Sequence, residues 1–370
     1  MKIQITIKET AGIKRTNEPV SMGIPFEKGK LFQGDLEKLV VLDSKFEPID
    51  CQTKVLAFWS DKSIKWVLID IQACIEPFEK GKFILSDGPE AEKTQKNDGV
   101  EILDTRESLN IKTGPAKFIV NKKEFKPFDQ VVVHGKDIIE EGVTKISLID
   151  STGNTLKPDI SKIFCETEGP LRATLKIEGD FKGTGDKVFA SFYSRISFYS
   201  GKTFVKFEFT ISNPKAAQHP GGLWDLGDPG SIFFKDLSIE TGPRSQDRSR
   251  VFWQSAPGQP YQTDEDGNIN IFQCSSGGKN WDSPNHVDHT NCVNLKFKGY
   301  KIFSETGELD QGMRTSPVVG LKGTGVCISG AVQNFWQNFP KSIQAGKQKL
   351  LIKLFPSDSE NLFELQGVQR

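Results

Sequence analysis

Strict alternation of apolar and polar residues recurs along the whole chain, and it restricts the fold more than any other feature. Ile3, Ile5 and Ile7 alternate with Gln4, Thr6 and Lys8. Leu171, Ala173, Leu175 and Ile177 alternate with Arg172, Thr174, Lys176 and Glu178. Val188, Ala190, Phe192, Ile196 and Phe198 share one parity, and Val205, Phe207, Phe209 and Ile211 share another. A period of two sends alternate side chains to opposite faces, so each segment reads as a half-buried β-strand. The 34 glycines suit strands joined by tight turns, and the 27 phenylalanines suit their buried faces. Helical periodicity is nearly absent; only Asn334–Phe339 reads as a short helix, stopped by Pro340. The chain is therefore expected to be all-β, built from antiparallel sandwiches or barrels.

A polar, breaker-rich stretch from Ser86 to Gly99 reads as a linker. It divides the 370 residues into a small β domain, 1–90, and a large β domain, 91–370. Lys plus Arg and Asp plus Glu each number 48, which argues against general nucleic-acid binding. No apolar run is long enough to span a membrane. The N-terminus enters strand alternation directly, with no signal-peptide pattern, so a cytoplasmic location is expected unless the N-terminus is truncated. The six cysteines are sparse and form no Cys-x-x-Cys, and are expected to be buried free thiols.

Two loops concentrate chemistry. His219 to Ser231 has six Gly or Pro among its thirteen positions, together with His219, Trp224, Asp225 and Asp228. It follows the alternating segment Thr203–Ile211, and a chemically loaded loop on a rigid strand is a common seat of function. Gly277 to His289 holds Lys279, Asn280, Trp281, Asp282, His286 and His289. His286 and His289 with Asp282 or Asp288 form a weak metal pattern, the spacing carrying little weight off a helix. No cofactor is expected, and Ca²⁺ has no support in the sequence. Each loop can also be read as a rigid structural corner, with Asp228-Pro-Gly as turn chemistry. No phosphate-binding loop, nucleophile elbow or dinucleotide fingerprint occurs.

Glu18-Pro-Val-Ser-Met-Gly-Ile-Pro25 and Trp59-Ser-Asp-Lys-Ser-Ile-Lys-Trp66 resemble the RIFT-barrel domain of the YetA-like and exo-rhamnogalacturonan lyase family, polysaccharide lyase family 26. The family hairpin reads Trp-Pro-Asp-Gly-Ser-Val-Lys-Trp, from which Ser60 and Lys62 depart. Lys62 stands where Gly would favour a positive φ, a strain of roughly 1 kcal/mol. His219–Ser231, Ser275–His286, Phe335–Lys341, Leu354–Pro356 and Phe363–Gly367 resemble the family's central β-sandwich. Full-length members continue into a large (α/α) toroid, whereas this sequence ends at Arg370.

The resemblance implies a RIFT-type barrel, a central sandwich, and β-elimination at a galacturonate of pectic polysaccharide. A base takes the proton α to the carboxylate, a cation stabilises the charge, and an acid protonates the leaving oxygen. In that reading His219, His286 and Arg314 are the catalytic candidates, Arg314 clamping the uronate carboxylate. Trp224 stacks on a sugar, and Asp225, Asp228, Lys279, Asn280, Trp281 and Asp282 contact its hydroxyls. The implied partners are a pectic oligosaccharide or polysaccharide and a toroid domain, without which the chain is expected to be incomplete as an enzyme. A non-catalytic carbohydrate-binding or structural β module is the competing reading. Trp59 and Trp66 are expected to pack in the core or the hairpin, and Phe335, Trp336 and Phe339 to be core or to face the next domain.

Overall fold

A computed structural model describes residues 1–87, 99–220, 222, 226–244, 249–264 and 267–367. They form antiparallel sheets joined by turns and four short 3-10 segments. The first two sheets belong to the N-terminal region. One runs Lys2–Lys8, Lys80–Ser86, Val40–Leu42, Pro48–Ile49; the other runs Arg15–Pro25, Ile64–Ile75, Cys51–Phe58. Their inward residues, among them Ile5, Val41, Ile69, Ile71 and Leu85, close a core of their own. At the 59–66 hairpin Lys62 does take a positive φ, 66°. Trp59 packs there by donating from its indole N–H to the Phe26 carbonyl, 3.0 Å away. Trp66 instead lies across Gly23 on the outer face and is 38% exposed.

Beyond residue 100 a nine-stranded sheet serves two cores at once. Its strands, in spatial order, are Thr155–Leu156, Lys145–Asp150, Ile232–Thr241, Lys349–Phe355, Lys341–Gly346, Ile269–Gln273, Tyr300–Ser304 and Gly307–Gly312, with Phe363–Leu365 added on Ile232–Thr241. Leu148, Phe234 and Leu237 on one half join a core with Phe118, Leu175 and Phe198 from the sheets spanning 101–139 and 158–212. Ile271 and Ile343 on the other half join Val251, Trp253 and Leu321 of a four-stranded sheet, 250–331. Ile328 and Ile352 pack against both cores. The alternation thus resolves as expected: Leu175 and Ile177 are fully buried, while Lys176 faces outward on the same strand.

Two expectations are corrected. Residues 334–339 form turns rather than a helix, with one helical hydrogen bond, Asn338 N–H to the Asn334 carbonyl at 3.0 Å. Phe335 sinks into the core, and that anchor together with Pro340 stops the turn from propagating. The cysteines are all free, but only Cys274 is buried; Cys74, Cys292 and Cys327 are exposed because they sit on outward strand positions or in a loop.

Candidate active site

Strand register decides where the loops lie. In the nine-stranded sheet Leu237 pairs with Phe355, Gln273 with Lys341 and Tyr300, and Tyr300 with Gly312. In the facing sheet Gln254 pairs with Val318, and Val318 with Ala331. Apart from Leu237, which lies within its strand, all these residues are strand ends on one edge of the sandwich, and Ile232, paired with Leu365, begins its strand beyond the same edge. The connections that leave them, 213–231, 274–299, 313–317, 332–340 and 356–362, therefore gather into one rim.

Buried hydrogen bonds lock this rim together. The Gln273 amide donates to the carbonyls of Ser275 and Met313 at 2.6 and 2.9 Å, and its oxygen accepts from Thr315 N–H at 3.0 Å. Gly277, at φ 65°, lies so close to the Met313 carbonyl that a Cβ would stand 2.0 Å from its oxygen.

The guanidinium of Arg314 is exposed and lies over the Trp336 ring, 4.1 Å from its centroid. Its Nε donates to the Ser276 carbonyl at 3.2 Å. One face and one nitrogen are fixed, so the fork is held in orientation while its outer edge meets solvent. Three residues beyond Trp336, Phe339 packs edge-on against His286 of the 274–299 loop, with 5.4 Å between ring centroids. Phe339 leads into Lys341, whose ammonium lies 5.1 Å from the centre of the Phe355 ring and donates to the Pro340 carbonyl at 3.3 Å. Burial pushes Lys341 down to about 8. Lys279, Asn280 and Asp282 are exposed on the same loop as His286, Trp281 is half-buried, and none makes a side-chain hydrogen bond among the described residues.

At the other side of the rim Asp228 is only 2% exposed. Its carboxylate accepts from the backbone N–H of His219 at 2.5 Å, Gly230 at 2.7 Å and Gln218 at 2.9 Å. Burial opposes its ionisation, but those donors outweigh it and hold the carboxyl below the usual range. Asp228 is thereby engaged in organising the loop. His219 takes φ 44°, and its Nδ1 is buried 3.8 Å from Asp228 Oδ2, too far for a hydrogen bond. Trp224 and Asp225 lie outside the described residues.

Glu364, within the Phe363–Gly367 segment, is not among the candidate site residues of the sequence. One of its oxygens accepts from Gly227 N–H at 2.8 Å and the Ser231 hydroxyl at 2.6 Å, while Oε2 is buried and unpartnered among the described residues. His289 joins the two halves of the rim: its ring is 4.7 Å from that of Phe233, and it backs onto Gly227. Asp288 is consumed by its own turn, accepting from Thr290, Cys292 and Asn294. Among the described residues no three His, Cys, Asp or Glu are grouped to hold a metal. Lys341 and Glu364 left little trace in the sequence. Each lies in a segment that carries the family resemblance, Phe335–Lys341 and Phe363–Gly367, but nothing in those segments singles out either side chain.

Fold and rim together define a two-part all-β protein, a small barrel followed by a large sandwich with a cation- and aromatic-bearing loop edge. Residues 5–84 match the family model described as PcRGLX-like N-terminal RIFT barrel domain, so the N-terminal region is a RIFT barrel of that type. Over 393 aligned residues the chain is 23% identical to "Uncharacterized protein YetA" of Bacillus subtilis strain 168, covering 96% of this chain and 44% of that relative. The chain thus spans less than half the length of the curated relative it matches.

Proposed function

We propose that this chain is the β portion of a carbohydrate-active protein of the rhamnogalacturonan lyase type, and that its loop rim binds a uronate-bearing pectic chain. The observation that carries this reading is the Arg314 guanidinium, stacked on Trp336 and tethered to Ser276 with its outer edge free. A fork held in this way suits bidentate capture of a sugar carboxylate. Gly278 adjoins the fork and adds no side chain there. His286 and the exposed Lys279, Asn280 and Asp282 supply donors and acceptors for hydroxyls.

The same rim offers parts for β-elimination. Arg314 would neutralise charge that develops on the carboxylate as the α proton leaves. Lys341, held at about 8, has a usable neutral fraction near neutral pH and is our candidate base. His219 and His286 are the candidate acids for the departing oxygen. An opposing wall from a further domain would complete the cleft.

Titration of rhamnogalacturonan oligosaccharides, followed by tryptophan fluorescence, tests the binding. Saturable quenching is expected, with Arg314→Ala weakening affinity about tenfold or more, as for a lost charge-assisted pair. Equal affinity in wild type and Arg314→Ala would refute the rim as the site. Ultraviolet detection of unsaturated products, with and without an added toroid domain, tests for elimination separately.

A further inference from the structure

The four-stranded sheet Pro158–Thr167, Arg172–Lys182, Val188–Tyr199, Val205–Ser212 ends in two unlike edges. The Pro158–Thr167 edge begins with a proline, is broken by two register shifts and bridges to Glu124 at Asp159. Such features blunt an edge against further pairing. Val205–Ser212 has none of them. It holds neither proline nor glycine and runs in unbroken register along Val188–Tyr199, from Val205 opposite Phe198 to Ser212 opposite Ser191. Among the described residues it pairs on that side alone, so the backbone groups on its other side stay open. Its inward side chains are incompletely covered as well. Ile211 is buried, but Val205, Phe207 and Phe209 are only half-buried along the lip of the core. Phe204, just before the strand, is 48% exposed.

We infer that Val205–Ser212 is a self-association edge, at which a second copy of this chain adds its own Val205–Ser212 about a twofold axis normal to the sheet. Such an axis makes the pairing antiparallel and the interface isologous. The strand is complementary to itself in one register. Centred on Phe207, the pairing puts Lys206 opposite the partner's Glu208 and Glu208 opposite the partner's Lys206. On the inward face it sets Phe207 against the partner's Phe207 and Val205 against the partner's Phe209, which covers the half-buried rings. A slip of two residues either way brings Lys206 onto the partner's Lys206 or Glu208 onto the partner's Glu208. A slip of one turns inward side chains to the outer face. Lys206 and Glu208 already meet within the strand at 3.0 Å, both about half-exposed, and the pairing need not break that contact. It makes the charges alternate along the row Arg195, Glu208, the partner's Lys206. Exposed pairs of this kind contribute about 1 kcal/mol or less each, so they choose the register. The affinity comes from the backbone ladder and the covered rings.

Analytical ultracentrifugation of the full chain tests the assignment. A dimer is expected at about 100 μM chain, above the micromolar upper range of dissociation constants for specific interfaces. Lys206→Glu, or Glu208→Lys, replaces both cross-strand attractions by repulsions and should weaken association about tenfold. Lys206→Glu combined with Glu208→Lys restores opposite charges in the same register and should bring the dimer back. Both positions are exposed, and circular dichroism confirms that each variant is folded. A wild type that stays monomeric at that concentration would overturn the inference. So would association that either single reversal leaves unchanged, or that the double reversal fails to restore.

Discussion

Single residues on the rim carry conflicting demands, and Lys341 shows this most directly. Its side chain is packed against Phe355 and meets a carbonyl but no carboxylate among the described residues, so burial disfavours the charged form. A lysine held at about 8 when folded and near the ordinary 10.5 when unfolded opposes folding at neutral pH. Between those values the unfolded state binds more protons, so stability rises with pH through that window. The cost at neutral pH is on the order of 2 kcal/mol once partial solvent access is allowed for. Lys341→Met should therefore raise stability at pH 7 by about that amount and flatten the rise at alkaline pH. Urea denaturation at several pH values checks it, and a pH dependence identical to wild type would refute the argument. Asp228 is the opposite case, a buried carboxylate whose every contact serves the folded loop.

At the scale of elements, the rim depends on how loop 274–299 docks onto the 313–317 connection. Gly277 is where the two backbones touch. An alanine there would meet the Met313 carbonyl and would also have to hold φ 65°. Gly277→Ala is expected to cost about 2–4 kcal/mol and to shift Arg314, because Ser276, its tether, is the adjacent residue. Differential scanning calorimetry measures the first effect. The second appears as an Arg314→Ala-like loss of oligosaccharide binding at a temperature where the variant is still folded. The strands themselves were legible in the sequence, because a period of two is a local signal. Ile3–Ile7 and Leu171–Ile177 needed nothing more. The gathering of His286 and Arg314 on one edge was not legible, since it follows from the pairing of Gln273 with Lys341 and of Val318 with Ala331, contacts between distant segments. Nor could alternation reveal that Asp228 turns inward: Asp-Pro-Gly reads the same whether the carboxylate faces a ligand or its own backbone. The helix expected at 334–339 failed because Phe335 is claimed by tertiary packing.

Across the whole molecule, the barrel and the sandwich meet through polar groups rather than a shared apolar core. Gln52 is 7% exposed; its oxygen accepts from the N–H groups of Leu171 and Arg172 at 3.0 and 2.9 Å, and its amide donates to the Arg172 carbonyl at 3.0 Å. Beside it the Arg172 fork meets Asp70 through two bonds of 2.9 and 3.0 Å, and Asp70 is 4% exposed. Gln72 donates to the Ser200 carbonyl at 2.7 Å. A dry, bidentate pair of this kind costs about 3–5 kcal/mol when one partner is removed, because the other charge stays buried. Those few side chains therefore couple the two cores energetically. The wild type is expected to unfold in one transition by near- and far-ultraviolet circular dichroism. Asp70→Ala together with Gln52→Ala should split it in two, with the barrel melting first, because its core is smaller than the main core of the sandwich. Asp70→Ala with Arg172→Ala should restore part of the loss, since no charge is then left unpaired. A single transition that survives all of these substitutions would mean that the domains cohere through contacts other than this polar seam.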